Sequence, residues 1–112
     1  MVNKVYIPDR GDIVWLDFNP QLGHEQRGRR PALVISHKAY NEKIGLGIFC
    51  PITGKVKGYP FEVLIDLKKI KGAVLSDQVK SLDWKERNAE FIEKVGGGDL
   101  EEVLEKIEAI IK

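Results

Sequence analysis

Phe61-Glu62-Val63-Leu64-Ile65, Gly72-Ala73-Val74-Leu75-Ser76 and Gln78-Val79-Lys80-Ser81-Leu82 follow one another within 22 residues. Each is short, rich in β-branched residues and bounded by Gly, Asp or Lys, the pattern of brief strands joined by turns. Glu90-Phe91-Ile92-Glu93-Lys94-Val95 then alternates polar and apolar, as a half-buried strand does. Upstream, Asp9-Arg10-Gly11 reads as a turn and Asp12 to Phe18 as the first strand. Pro31 to Ser36 reads as a buried second strand with Pro at its first position, and Leu46 to Pro51 as a third, after a short polar excursion through Tyr40 and Asn41. Many short strands with turns between them predict a compact, mainly β barrel. Gly96-Gly97-Gly98 ends the sheet. Asp99 as N-cap with Glu102 three residues on predicts a capping box, and Leu100, Val103, Leu104, Ile107, Ile110 and Ile111 recur at helical spacing, so a single amphipathic helix closes the chain.

At 112 residues the chain is one domain, residues 1–112, with one modest core. Its 43% hydrophobic and 31% charged residues are ordinary globular composition, which excludes a disordered chain. No apolar run approaches the ~18 to 20 residues of a membrane span, and the N-terminus meets Pro8 and Asp9 too early for a signal sequence. The expected location is the cytoplasm. Cys50 is alone, which excludes an internal disulfide, and its apolar strand marks it as a small core residue. His24 and His37 lie in different segments with no His or Cys partner at usable spacing, so neither a metal nor a cofactor is expected. Trp15 and Trp84 read first as packing residues.

The net charge of +1 hides an asymmetry. Residues 99–112 hold five acids and two bases, whereas residues 19–60 hold seven bases (Arg27, Arg29, Arg30, Lys38, Lys43, Lys55 and Lys57) against Glu25 and Glu42, a local +5. That is the sign expected where a phosphate backbone docks, although a solvated basic face has the same composition. Five of these bases gather in two loops, Asn19 to Arg30 and Thr53 to Pro60, and a loop as long as the first in so small a domain is a place for function.

Four stretches carry a resemblance. Gly11-Asp12-Ile13-Val14-Trp15, Arg30-Pro31-Ala32-Leu33-Val34-Ile35-Ser36, Gly58-Tyr59-Pro60-Phe61-Glu62-Val63 and Asp77-Gln78-Val79-Lys80-Ser81-Leu82-Asp83-Trp84 together resemble the MazF/PemK ribonuclease toxins, in order and over nearly the whole chain. The resemblance implies a small SH3-like β-barrel of the CcdB/PemK kind with a C-terminal helix. It implies a homodimer that cleaves single-stranded RNA at a short base sequence and a MazE-like antitoxin as partner. It places catalysis on Arg30 and Thr53, with Glu25 at a further position tied to activity. Asp77, Gln78 and Lys80 fall in the segment that borders the RNA groove, and Gln26, Arg27, Arg29, Lys55 and Lys57 supply the basic loops. One departure matters: two residues before Asp77, where the PemK branch has Arg, stands Leu75. The implied pair is therefore Arg30 with Thr53.

The chemistry of these residue types agrees. Cutting RNA without a metal uses the substrate's own 2′-OH, and the protein must then position the backbone and stabilise charge on the phosphoryl oxygens. A guanidinium grips two such oxygens and a threonine hydroxyl adds a neutral donor. The general base stays unassigned, with Glu25 a candidate. Two other readings remain open at this point: a gyrase poison of the CcdB kind, which shares the fold, and an RNA-binding barrel that does not cut.

Overall fold

The strand Gly47–Thr53 organises the molecule because it is long enough to have different neighbours at its two ends. The computed structural model describes residues 5–18 and 28–112. Its elements are β1 (Asp12–Asp17), β2 (Arg29–Val34), α1 (Lys38–Ile44), β3 (Gly47–Thr53), β4 (Glu62–Asp66), β5 (Lys71–Leu75), a 3-10 turn (Ser76–Gln78), β6 (Lys80–Leu82), β7 (Glu90–Lys94) and α2 (Gly97–Ile111). All strand pairs are antiparallel, in the order β4-β5-β3-β2-β1-β7. Along one edge of β3, residues Gly47 to Phe49 pair with β6, and Ile52 and Thr53 pair with β5. The turn Ser76–Gln78 carries the chain from one pairing to the other, so the sheet curls into a half-barrel closed by α2. This is the small β-barrel architecture expected from the run of short strands.

Both faces of the central strands are buried. Successive side chains of a strand point to opposite faces, and paired residues share a face. Ile13 lies opposite Leu33, and Leu33 opposite Cys50; all three enter the core that Val103, Leu100, Leu104 and Ile107 of α2 cover. Val14 and Ala32, and Val34 and Phe49, pair toward the other face, where Leu82 and Trp84 complete a second core. Each fully buried Leu, Ile, Val or Phe contributes about 1.5–3 kcal/mol, whereas an exposed pair such as Lys71–Asp66 contributes about 0–1 kcal/mol, so the two cores hold the fold. Trp84 is buried with its indole N–H donating to the Asn41 carbonyl at 3.1 Å. Cys50 is likewise buried, which together with nearby Asp77 pushes its thiol up to about 12 and keeps it unreactive.

The Gly11-Asp12 motif is structural. The Asp12 carboxylate is buried and accepts from the Tyr6 hydroxyl at 2.5 Å and from the Asp9 N–H at 3.0 Å, and it pairs with Lys94 at 2.6 Å. It thereby ties the N-terminal segment to β7. Three sequence expectations are corrected. The excursion through Tyr40 and Asn41 is the helix α1; it buries only Asn41 and so shows no apolar periodicity. The capping box does not form: α2 begins at Gly97 with Gly96 as N-cap and no side-chain cap, and Asp99 stands in the first turn instead, where its charge still suits the helix dipole. The packing of Leu100 and Val103 on the core outweighs the low helix propensity of Gly97 and Gly98. Finally, β2 begins at Arg29 and β3 runs to Thr53, so Arg29, Arg30 and Thr53 belong to strands and not to loops.

Candidate active site

Arg30 and Thr53 come to one cleft because β2 and β3 are neighbours. The cleft has a volume of about 670 Å³ and is lined by Arg30 and Pro31 of β2, Ile52 and Thr53 of β3, residues 54, 55, 57 and 59 of the following loop, Glu62, Leu75 and Gln78. Of the residues named from sequence it gathers Arg30, Thr53, Lys55, Lys57 and Gln78. The side chain of Arg30 is exposed, and that of Thr53 is half-buried, its Oγ1 accepting from the Lys55 N–H at 3.1 Å. Among the described residues three cations thus line the cleft with one carboxylate, Glu62, whose oxygens already accept from backbone N–H groups.

The close approach that seats Thr53 depends on Gly72. Its φ is +150°, and a Cβ built there would lie 2.2 Å from the carbonyl oxygen of Thr53. Gly72→Ala is expected to cost about 1–3 kcal/mol in urea unfolding. It should slow any reaction that uses Thr53 by on the order of 10², the cost of a misplacement near 1 Å. A fully active Gly72→Ala protein would show that this contact does not hold Thr53.

The adjacent arginines separate. Arg29 faces its cross-strand neighbour Asp17, pairing with it at 2.9 Å, and also reaches Glu90 at 3.0 Å and the Asn88 carbonyl at 2.9 Å. Hydrogen bonds from Asn88 and then Arg29 hold the Asp17 carboxyl below the usual carboxylate range. One residue on, Arg30 points the other way, into the cleft. Lys80 is also outside it, its ammonium 5.7 Å from the centre of the Phe18 ring. Asp77 is not among the residues lining the cleft and accepts the Tyr59 hydroxyl through Oδ2. This bond raises the phenol above its ordinary pKa, and the other Asp77 oxygen is buried with no hydrogen-bond partner among the described residues. Glu25, Gln26 and Arg27 lie outside the described residues.

Sequence reasoning assigned no role to Tyr59 or Glu62, although both stand in a motif that carries the resemblance. The available signal was a glutamate three residues after the turn-forming Gly58-Tyr59 pair, within reach of the preceding N–H groups.

Comparison with known proteins decides the family. Residues 9–111 match the model of the PemK-like, MazF-like toxins of type II toxin-antitoxin systems. The chain belongs to this family. It is 43% identical over 111 residues to the endoribonuclease toxin MazF of Escherichia coli (strain K12), covering 99% of both chains. It is also 34% identical to the endoribonuclease toxin ChpB of the same strain, covering 93% of this chain and 94% of that one. Among solved structures, MazF from Deinococcus radiodurans (Form-I) superposes with a TM-score of 0.87 at 48% identity, covering 96% and 98% of the two chains. MazF in a MazE-MazF crystal structure (Form-II) of that organism gives 0.85 at 42% identity, covering 96% and 97%. In this toxin family the curled sheet and C-terminal helix are thus the shared fold.

Proposed function

We propose that this endoribonuclease toxin grips single-stranded RNA in the cleft of Arg30 and Thr53 and cuts it, without a metal, at a short base sequence. The observation that carries the proposal is the donor set of the cleft. Among the described residues of the cleft, an arginine, two lysines, a threonine and a glutamine are donors for phosphate and base oxygens, and the one carboxylate is already engaged by backbone N–H groups. Such a set fits an anion and not a metal ion, which would require convergent carboxylate, imidazole or thiolate ligands. The substrate's 2′-OH attacks the adjacent phosphorus, and the 5′-oxygen leaves. Arg30 stabilises the charge that grows on the phosphoryl oxygens and donates to the leaving oxygen; Thr53 adds a second, neutral donor. Lys55 and Lys57 attract the phosphate backbone, and Gln78 contacts a base edge. Arg29 and Lys80, engaged elsewhere, take no part in this assignment.

The MazE-MazF complexes among the structural relatives support a MazE-like antitoxin as the partner of this chain. Its binding face is read as the same positively charged cleft, which attracts an acidic peptide as readily as RNA. The toxin is further read as a homodimer, as the sequence resemblance implies, and as acting in the cytoplasm; no helix among the described residues is long and apolar enough to cross a membrane.

Incubating the purified protein with a mixed RNA pool in EDTA, and mapping the cut ends, tests the proposal. Cuts at one short sequence are expected. Thr53→Ala should slow them by roughly 10²- to 10³-fold, the usual cost of deleting one transition-state donor. A change below about threefold would remove Thr53 from the catalytic pair.

A further inference from the structure

The loop between β3 and β4 carries three cleft residues, Lys55, Lys57 and Tyr59, yet every residue from Gly54 to Pro60 is exposed. A segment with two glycines and no burial has little apolar contact to hold it in one shape beyond the Tyr59 ring against that of Phe61. The N–H groups at its centre are held by hydrogen bonding to one side chain. Oε1 of Glu62 accepts the N–H groups of Lys57 at 3.2 Å, Gly58 at 2.9 Å and Tyr59 at 3.2 Å, and Oε2 accepts that of Lys57 at 3.2 Å. The Glu62 N–H in turn donates to the Tyr59 carbonyl at 3.0 Å, so the backbone closes on its own clamp. Two side chains then pin the loop from outside. The Tyr59 hydroxyl donates to Asp77, and the Lys106 ammonium of α2 donates to the Pro60 carbonyl at 2.7 Å.

Three successive N–H groups converging on one point form an anion-binding concavity. Here the chain's own carboxylate fills it, so the phosphates of a ligand must be met by the side chains of Arg30, Lys55 and Lys57. We propose that Glu62 is a positioning residue for RNA binding: it does not meet the substrate but fixes the loop that presents Lys55, Lys57 and Tyr59 to it. This rests on reading the cleft as the RNA site. Fixing the loop in advance removes an ordering cost that RNA would otherwise meet on binding. Arg30 and Thr53 stand on strands, so the loop's order bears on affinity far more than on the chemical step.

Glu62→Ala should raise amide exchange at Lys57, Gly58 and Tyr59 by about tenfold or more, with the core amides of Val63 and Val74 unchanged. KM for an RNA carrying the cut sequence should rise about tenfold, and kcat should change by less than about threefold. Glu62→Gln keeps the oxygen that accepts from all three N–H groups and should recover most of the lost affinity, which a general base at this position would not allow. If Glu62→Ala failed to fold, Glu62→Asp, which draws the oxygens back by one methylene, should give the same loosened amides and raised KM. Unchanged exchange at residues 57–59 would overturn the proposal. So would a kcat that falls equally in the alanine and glutamine variants. Loosened amides with normal KM, while Lys57→Ala raises KM, would end the role of Glu62 and leave the cleft reading standing; normal KM in both variants would place RNA elsewhere and overturn both.

Discussion

Arg30→Ala is expected to abolish RNA cleavage, by on the order of 10³-fold or more, while the protein stays folded. The two halves of this expectation have separate causes. The side chain is exposed, so its removal opens no cavity in either core, and the β2 backbone that pairs Arg30 with Leu16 is untouched. Unfolding in urea should therefore shift by no more than about 0.5 kcal/mol. The chemistry loses far more. A guanidinium presents a planar fork that can hold two phosphoryl oxygens together, and among the described residues no other side chain lining the cleft has that geometry. Arg30→Lys should for this reason also be poor, since a point charge cannot replace the fork. Near-normal cleavage by the lysine variant would show that charge alone suffices. Cleavage by the alanine variant within about tenfold of the parent would remove Arg30 from the mechanism.

The parts of this site that were legible in the sequence are those fixed by strand pairing. Arg30 directly precedes one apolar run and Thr53 follows another by two residues, so once the two runs pair, their ends meet. The resemblance to the family supplied their roles. What strand periodicity could also have shown, but a tally of charge could not, is that Arg29 and Arg30 separate. A basic cluster read along the chain treats neighbours as equals, whereas a strand sends them to opposite faces, and Asp17 lies across from only one. The helix α1 was hidden because its single buried residue, Asn41, is polar and is held by hydrogen bonds to Pro8 and Ser36. The start of α2 was misplaced because local capping chemistry favours Asp99, and only the packing of Leu100 and Val103 moves the start back to Gly97. Glu62 escaped notice for a related reason. Its partners are backbone N–H groups, which every sequence supplies, so only its place after the Gly58-Tyr59 turn could point to it.

The identity of the nucleophile decides the mechanism. The cleft offers donors for an anion, Cys50 is buried with a raised pKa, and the Thr53 hydroxyl has no base beside it among the described residues. In the proposed mechanism the ribose 2′-OH is the attacking group. Cleavage should then continue in EDTA, and the fragments should end in a 2′,3′-cyclic phosphate, or the 3′-phosphate formed when it opens, and in a free 5′-OH. The most direct measurement uses an RNA whose single sugar 5′ of the scissile phosphate is 2′-deoxy. Only the attacking oxygen has been removed, so this RNA should bind almost as tightly as the parent and remain uncut. Efficient cleavage of it, or a 5′-phosphate on the downstream fragment of ordinary RNA, would mean that water attacks instead and would contradict the proposed roles of Arg30 and Thr53.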